Sequence, residues 1–514
     1  MKKKIYIEFV FLISLGGITS FSLPPFNYFL ISFFTFSSFY IFLVKKFKVE
    51  KNKFFFFLYG LFFGFGYFVS NIYWISISLT FDENFKFLIP FTIILVPLFL
   101  SVFYALATYL FATLRPKKNL SSFFLFSGIF GIIEFLRGSS FTGFPWNLIA
   151  FSFSNHLEIL NIMSIIGTYS FNLFCVTLFT SPSLLILKMN KQSIIVCTIF
   201  FVATFSFYFF GSQKLEKFKN AQIDKNNYKI RIISSNINID RYYNDVDPIL
   251  VIKNLIKISS PQKDEKIIFV WPEGIFPGVS QNNIRDYKWL FEEKFSENHL
   301  IIVGINSQTH KNQIKRYFNS LSVYDHNLNL INSYNKVNLV PFGEFLPFED
   351  ILKKIGFKTI TNNYQSFSRG DKRNIIEINN EGFDFKILPL ICYEIIYSGK
   401  IFKKDSFDYI INISEDGWFG RSIGPHQHFE HSIYRAIESG KYVMRSANNG
   451  ISGIVNPLGV VEKQLGLNQI GYIDFIETKK IKPTFFSQYG NKIFVIIILL
   501  YIFLIISSNR FEND

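Results

Sequence analysis

Residues 387–397 read ILPLICYEIIY, a short apolar run followed at once by a cysteine and a glutamate. An apolar run of about five residues is typical of a buried β-strand. In α/β proteins, reactive side chains lie where such strands end, because the sheet fixes the backbone while the loop side stays open. The segment therefore predicts that Cys392 lies at the end of a buried strand.

Two other segments have the same design. Residues 267–277 read IIFVWPEGIFP and present Glu273. Residues 334–347 read YNKVNLVPFGEFLP and present Lys336 and Glu344. A glutamate can take the proton of a thiol, a lysine ammonium can stabilise the thiolate and an oxyanion, and the cysteine can then attack an acyl carbon.

Each of these residues also has an ordinary explanation. A cysteine at a strand end is often a packing residue, and Glu273 and Lys336 could be solvated surface charges. The site would be absent only if all three of these ordinary explanations were true at once. A thioester-forming site is therefore the favoured interpretation, with the backbone N–H of Tyr393 as a natural oxyanion donor.

The region around these segments alternates strand-like and helix-like stretches between residues 229 and 480. Helix-like stretches lie at 283–295 and 426–440. This alternation predicts a layered α/β domain of the α-β-β-α kind. The strand-like runs are 229–234, 267–270, 300–304, 387–391 and 409–413.

The rest of the chain has the composition of a membrane protein. Hydrophobic residues make up 49% of the 514 residues, and 67 of them are Phe. A bilayer span needs about 20 apolar residues. The first stretch follows three lysines but lacks a signal-peptidase-like site, so we expect an uncleaved helix. Eight stretches are candidate spans: 5–23, 27–44, 54–80, 87–114, 121–137, 162–187, 193–211 and 493–508.

The basic residues of the loops predict the orientation. Fourteen Lys and Arg fall on one side of the predicted spans, whereas the short loops on the other side hold only Lys86 and, at a helix edge, Arg137. The positive-inside rule then places both termini in the cytoplasm and the soluble domain outside. Lys214, Lys217 and Lys219 oppose this weakly, but long domains translocate largely regardless of charge. For a bacterium, this is a multi-pass inner-membrane protein whose catalytic domain faces the periplasm.

Charge and cysteine content exclude several other classes. The net charge is +15, but many basic residues flank apolar runs, so nucleic acid is not an expected partner; a basic binding face is the alternative. The three cysteines, Cys175, Cys197 and Cys392, give neither a disulfide framework nor a metal-ligand spacing. No metal or organic cofactor is expected.

Taken together, these motifs resemble a known family. The order WPE, K, LVPFGE and CYE resembles the nitrilase superfamily, and the spans around it resemble its membrane-anchored branch, the apolipoprotein N-acyltransferases. Two further matches are RGSSFTGFPWN at 137–147 and DGWFGRSIGPHQHFEHSIYRAIESGKYVMRSANNG at 416–450. The resemblance implies three regions: a seven-helix membrane domain at 1–211, a nitrilase-like catalytic domain at 229–480 and a last helix at 493–508.

The resemblance also implies roles. It makes Glu273 the general base, Lys336 the oxyanion-stabilising lysine and Cys392 the acylated nucleophile. Glu344 matches a second glutamate of the site, and Tyr393, Glu394 and Trp418 match residues that support the nucleophile or its acyl chain. The implied reaction moves a fatty acyl group from a membrane phospholipid, through a Cys392 thioester, to the N-terminal amine of diacylglyceryl-cysteine in apolipoproteins. A monomer in the lipid bilayer is expected.

Two segments depart from the family pattern. Where the family tends to read SNDAWFG, this chain reads SEDGWFG, with Glu415 and Gly417. Where the family tends to read QGNIPQ followed by a Trp, this chain reads SSNINIDRYYN at 234–244. Substrate placement near Glu415 and Tyr242 is therefore open.

Two further features have open interpretations. Glu134 and Arg137, at the outer end of the fifth span, could contact a phospholipid headgroup or simply pair with each other at i, i+3. Residues 345–357 could form a membrane-dipping lid or an ordinary amphipathic surface helix.

Two other functions compete with acyl transfer. A membrane-anchored amidase would use water as the acceptor. A transporter or sensor would use the nitrilase-like domain only for binding, but the plain Phe, Leu and Ile spans and the complete Glu-Lys-Cys set argue against it.

Overall fold

The amino-terminal region of the chain is a bundle of apolar helices. The computed structural model describes residues 2–311, 314–355, 359, 366–380, 382–399 and 407–511. Before the first strand lie α1 (Lys2–Thr19), α2 (Leu30–Lys46), α3 (Phe54–Ile72), α4 (Ile89–Leu114), α5 (Asn119–Ser139), α6 (Leu157–Leu160), α7 (Met163–Thr180), α8 (Pro182–Leu187) and α9 (Lys191–Lys219).

The number of spans differs slightly from the eight predicted. Within the described residues, seven helices are long and apolar enough to cross a membrane, the last of them near the carboxyl terminus. Helix α2 has 17 residues, so it is only about 25 Å long, and it ends in Lys45 and Lys46. It nevertheless packs within the bundle, against α1, α7 and α8. The prediction of a multi-span helical membrane domain is confirmed.

Glycines allow the closest helix contacts in the bundle. A Cβ on Gly66 of α3 would lie 1.9 Å from the carbonyl oxygen of Ile13 in α1. A Cβ on Gly60 would lie 2.4 Å from the carbonyl oxygen of Tyr104 in α4. Small residues are what permit such backbone approach in membranes, where packing rather than the hydrophobic effect drives helix association.

The soluble domain contains two six-stranded sheets. One has the order β12-β1-β2-β3-β4-β5 and the other the order β11-β10-β9-β8-β7-β6. Strands β1, β2 and β3 run parallel, as do β7, β8 and β9. The strands are β1 (Asp224–Ser234), β2 (Ile267–Val270), β3 (His299–Lys311), β4 (Ile314–Asp325), β5 (Leu330–Asn335), β6 (Ile376–Asn380), β7 (Phe383–Ile391), β8 (Tyr409–Glu415), β9 (Tyr442–Asn448), β10 (Ser452–Val455), β11 (Val461–Leu465) and β12 (Gly471–Thr478).

The sheets pack face to face between helices, which confirms the predicted α-β-β-α sandwich. Strand β1 contacts β9 and β4 contacts β7, and their inner-face residues belong to one buried apolar cluster. The remaining helices are α10 (Pro248–Ser259), α11 (Trp289–Glu292), α12 (Glu349–Leu352), α13 (Gly424–Ser439), α14 (Phe485–Tyr489) and α15 (Lys492–Phe511). Helices α10 and α11 join a second apolar cluster on the first sheet, and α13 lies between the second sheet and α7 of the bundle.

Candidate active site

Glu273 lies three residues beyond β2, at the carboxyl end of the parallel strands of the first sheet. Its Oε1 accepts hydrogen bonds from Asn319 Nδ2 at 2.6 Å and from Lys336 Nζ at 3.3 Å. Its Oε2 accepts one from the backbone N–H of Glu415 at 3.0 Å. The carboxylate is therefore held from three directions while it is buried.

Lys336 is the first residue after β5, and its side chain is only 1% exposed. Its Nζ donates to Glu273 Oε1 at 3.3 Å and to Glu344 Oε1 at 3.0 Å. Burial by itself lowers the pKa of Lys336, but the two carboxylates outweigh burial and hold that pKa well above its usual range. Lys336 is therefore a buried ammonium, and losing its partners would cost about 3–5 kcal/mol.

Glu344 completes a charge cluster of two carboxylates and one ammonium. Its Oε1 also accepts from Asn319 Nδ2 at 2.8 Å, and its Oε2 accepts from the backbone N–H of Val340 at 2.8 Å. Burial and the nearby Glu273 raise its pKa, although Lys336 acts in the opposite direction. Asn319 of β4, which the sequence did not single out, thus bridges both glutamates.

Cys392 follows β7 directly and begins a short 3₁₀ helix, Cys392–Ile396. Its φ of 49° lies in the left-handed region. That conformation costs a non-glycine residue about 1–3 kcal/mol and is a recurrent feature of functional sites. A sharp turn of this kind directs the side chain away from the strand.

The surroundings of Cys392 disfavour the ionised form of its thiol. Burial is the largest influence and raises its pKa; the charge of Glu273 raises it further, and that of Lys336 lowers it. A thiol with a raised pKa needs a base to take its proton before it can attack. Glu273 and Asp416 are the two carboxylates that raise the pKa of Cys392, and Glu273 is the base that the sequence predicts.

Glu394 connects the loops that carry Lys336 and Cys392. Its Oε1 accepts from the hydroxyl of Tyr334 at 2.7 Å and from the backbone N–H groups of Val337 and Asn338 at 3.0 and 3.1 Å. Its Oε2 accepts from the N–H of Ile391 at 3.0 Å. The carboxylate is fully buried and also pairs with Arg373, so it is a positioning group rather than a reacting one.

Tyr393 ties the nucleophile segment to the helix bundle. Its hydroxyl donates to the carbonyl of Gly143 at 2.8 Å, and the hydroxyl of Tyr397 donates to the carbonyl of Thr142 at 2.7 Å. Both carbonyls belong to the loop after α5, within the quoted motif at 137–147. The residue next to Cys392 thus fastens the catalytic domain to the membrane domain.

Trp418 packs against other aromatic rings and is not part of the cluster formed by Glu273, Lys336 and Glu344. Its ring stacks on Tyr242 with centroids 5.3 Å apart, and it meets Phe81, which follows the 3₁₀ turn Tyr73–Thr80 of the bundle, edge to face at 6.1 Å. Trp418 thus connects the segment around Tyr242 with the helix bundle.

A second cluster of buried polar residues lies beside the backbone of Cys392, and the sequence assigned it no role. Asp416 accepts from Arg445 at 2.7 Å, and its Oδ1 lies 2.9 Å from Nδ1 of His428. Burial favours a raised pKa for Asp416, but Arg445 and His428 hold that pKa well below its usual range. Nε2 of His428 lies 3.3 Å from the carbonyl oxygen of Cys392, so the cluster braces the backbone of the nucleophile. The only sequence signal was that all three residues fall within the motif at 416–450.

The structure also addresses the two open features. Glu134 and Arg137 are buried and form an ion pair with each other, and Arg137 Nη1 donates to the carbonyl of Phe144. The pairing interpretation therefore fits, and the pair fastens the loop that Tyr393 contacts. In the segment at 345–357, α12 is a single turn; Phe348 and Ile351 are 79% and 64% exposed, whereas Leu346 is buried. An amphipathic helix packed on the domain does not describe these residues, and positions 356 and 357 lie outside the described residues.

Two families match different regions of the chain. Residues 15–180 match the apolipoprotein N-acyltransferase N-terminal domain, and residues 250–475 match the carbon-nitrogen hydrolase family. The first covers much of the helix bundle, and the second covers the strands around Glu273, Lys336 and Cys392.

Complete relatives match over most of their length. An apolipoprotein N-acyltransferase from Rhodopseudomonas palustris is 30% identical over 88% of this chain and 85% of the relative. One from Rickettsia prowazekii is 32% identical over 84% of this chain and 86% of the relative. Among solved structures, Saccharomyces cerevisiae Nit3, a nitrilase-superfamily member, is similar at 16% identity with a TM-score of 0.33, over 48% of this chain and 90% of that chain. The similarity to these two relatives, each matched over most of its length, shows that this chain belongs to the apolipoprotein N-acyltransferase family.

Proposed function

We propose that this chain transfers a fatty acyl group from a membrane phospholipid, through a thioester on Cys392, to the N-terminal amine of diacylglyceryl-cysteine in apolipoproteins, the last step of lipoprotein maturation. One observation carries this proposal. Glu273 and Lys336 are in contact at 3.3 Å, and Cys392 begins the turn after a strand of the facing sheet, in a domain that Tyr393 joins to a bundle of apolar helices.

The first half-reaction loads the cysteine. Glu273 takes the proton of Cys392 Sγ, and the thiolate attacks the ester carbonyl carbon of the phospholipid. Lys336 and the N–H of Tyr393 stabilise the oxyanion that forms. The ester C–O bond then breaks, the lysophospholipid oxygen receives the proton from Glu273, and the acyl group remains on sulfur.

The second half-reaction transfers the acyl group to nitrogen. The neutral amine of the diacylglyceryl-cysteine attacks the thioester carbon, and Glu273 accepts the proton that the amine loses. The C–S bond breaks as the N–C bond forms, and the released thiolate recovers its proton from Glu273. Each half uses the same base and the same oxyanion donors, so no further cofactor is required.

The proposal extends to organisation and location. We infer that residues 1–211 are the membrane domain, 229–480 the catalytic domain and 493–508 a final anchor, and that a single chain is the working unit. From the basic loops we infer that the chain lies in a bacterial inner membrane with its catalytic domain in the periplasm. Acyl chains then reach the site from the lipid.

Acylation by phospholipid alone tests the first half-reaction. The purified full chain is incubated with a phospholipid of defined acyl chains, digested and examined by mass spectrometry. The peptide that contains Cys392 should gain the mass of one fatty acid less one water. The Cys392→Ser variant should gain nothing, because its hydroxyl is far less ionised and lacks the histidine partner that serine enzymes commonly use. The matched Cys175→Ser variant should still be acylated, and acylation on another residue would contradict the proposal.

A further inference from the structure

The two segments that depart from the family pattern meet in the structure. Arg241 belongs to the first and Glu415 to the second, 174 positions apart. The guanidinium Nη2 of Arg241 pairs with Oε2 of Glu415, and both side chains are 1% exposed. A buried charge is tolerated when a partner and further hydrogen bonds satisfy it, and each departure supplies the partner of the other.

Further hydrogen bonds complete the pair. Oε2 of Glu415 accepts from Asn448 Nδ2 at 2.7 Å, and its Oε1 accepts from the N–H of Gly417 at 2.8 Å. Nη1 of Arg241 donates to the carbonyl of Asn238 at 3.1 Å. Burial raises the pKa of Glu415, whereas Arg241 acts in the opposite direction.

The same two residues hold the backbone around Glu273. The N–H of Glu415 donates to Glu273 Oε2 at 3.0 Å. On the other side, the carbonyl of Gly274 accepts from Nε of Arg241 at 3.2 Å and from the hydroxyl of Tyr242 at 2.9 Å. Gly274 has a φ of 54°, and a Cβ there would lie 2.1 Å from the Tyr242 hydroxyl. The Glu273 carboxylate is thus bonded by Glu415, and the next backbone carbonyl is bonded by Arg241 and Tyr242.

We propose that Arg241 and Glu415 are a positioning pair that holds Glu273 in place and balances the charge beside it. The inference rests on the proposed role of Glu273 as the general base. The pair supplies one positive and one negative charge next to the segment of Glu273. Its hydrogen bonds are separate from those of Lys336. Removing one charge leaves the other buried next to the base.

Several charged or titratable groups surround Glu273, and the pair must be distinguished from them. They lie at or after the ends of β1, β5, β7 and β8: Arg241, Tyr242, Lys336, Glu344, Cys392 and Glu415. Among these, Arg241 and Glu415 can be changed without removing a reacting group. An unpaired carboxylate beside Glu273 disfavours the ionised base, and an unpaired guanidinium favours it.

The test is the pH dependence of Cys392 acylation by phospholipid, measured on the full chain. Arg241→Gln should move the acid limb of the rate profile to higher pH by about one unit, since it leaves the charge of Glu415 unpaired in a buried site that hydrogen-bonds to Glu273. Glu415→Gln should move the limb to lower pH by a similar amount. The double variant removes both charges, so its limb should return close to that of the unmodified chain.

A remote pair provides the matched control. Arg231 and Asp474 pair at 2.7 Å on β1 and β12, so Arg231→Gln removes a largely buried guanidinium of the same domain. It should lower the thermal midpoint without moving the acid limb. If either single variant fails to fold, the double variant decides. The acid limb of the double variant should not be shifted. Its rate of Cys392 acylation should exceed that of any single variant that folds by at least about 10-fold, which corresponds to about 1.4 kcal/mol.

The proposal is overturned if the single variants shift the limb in the same direction or leave it unmoved, or if the double variant does not recover. Loss of the proposed function has a different signature. If Glu273→Gln is acylated at the unmodified rate, Glu273 is not the base, whatever the pair does.

Discussion

At the scale of single residues, the site is governed by a balance of buried charge. Lys336 lies between two carboxylates, 3.3 Å from Glu273 and 3.0 Å from Glu344. With the Cys392 thiol neutral, the cluster carries one excess negative charge if both glutamates are ionised. Transfer of the thiol proton to Glu273 moves that charge onto sulfur without creating a new one. This conserves charge in a place where solvation is poor.

Positioning residues lie around this cluster in an outer layer of polar contacts. Asn319 bridges the two glutamates, Glu394 joins two loops, and Asp416 anchors His428 behind the nucleophile. Each is buried and each makes several hydrogen bonds at once. Locked side chains of this kind keep reacting groups within the small tolerance that catalysis requires.

The sequence could single out the candidate site residues because strand ends are local signals. Glu273, Lys336 and Cys392 each follow an apolar run, and the structure brings them together; their chemical roles stay predictions. Asn319 lies inside a long antiparallel strand, and Arg241 pairs across 174 positions. Neither contact has a local pattern, because the first depends on the order of strands in one sheet and the second on how the two sheets pack.

At the scale of elements, the loop after α5 is the joint between the membrane and catalytic domains. It contributes the carbonyls that bind Tyr393 and Tyr397, and its Trp146 donates to Gln427 of α13 at 2.8 Å. The rings of Trp146 and His428 are 5.2 Å apart. A movement of this loop would therefore displace both Tyr393, the residue after Cys392, and His428, which lies beside the Cys392 carbonyl.

Gly143→Ala tests this joint. Gly143 has a φ of 75°, and a Cβ there would lie 2.4 Å from the carbonyl oxygen of Gly138 and 3.3 Å from the Tyr397 ring. The loop must shift, so the rate of Cys392 acylation should fall about 10-fold or more while the protein stays in the membrane. Gly471→Ala is the control, because Gly471 also has a positive φ, of 151°, but its Cβ would meet only Leu465, at 3.8 Å. Equal acylation rates in the two variants would show that the joint does not position the nucleophile.

Elements with strong local patterns were predicted well. Strand β2 matches its predicted bounds, and α13 differs from them by about two residues at its start. The sequence did not predict strands β4, β5, β6, β9, β10, β11 and β12. In β11 and β12, charged residues and modest burial hide the alternation. The stretch at 283–295 was expected to be one helix but contains a 3₁₀ turn, Ile284–Tyr287, and the short α11. Its apolar residues pack on the sheet without a continuous helix, so tertiary contacts override the local pattern.

At the scale of the whole molecule, the basic loops predict the orientation in the membrane. Single-cysteine substitutions can map it, since Cys175, Cys197 and Cys392 are buried. In spheroplasts, an impermeant thiol reagent should label Lys257→Cys and Glu297→Cys, both exposed on the catalytic domain. It should not label Lys48→Cys or Lys117→Cys until the membrane is permeabilised. Labelling in the reverse order would place the catalytic domain in the cytoplasm and remove its access to exported lipoproteins.

The central claim is that the acyl group leaves Cys392 for an amine rather than for water. A buried thioester favours an oriented amine only if the site keeps water away from the carbonyl carbon. An amidase with the same residues would instead discharge to water.

Discharge of the acyl-enzyme is the most direct measurement. The full chain is first loaded with phospholipid, and the acyl mass on the Cys392 peptide is then followed over time. The acyl group should persist with phospholipid alone and disappear when a diacylated lipopeptide with a free N-terminal amine is added, with the matching N-acylated product. The same lipopeptide with a blocked amine should leave the acyl-enzyme intact. Rapid release of free fatty acid without any amine would contradict the account.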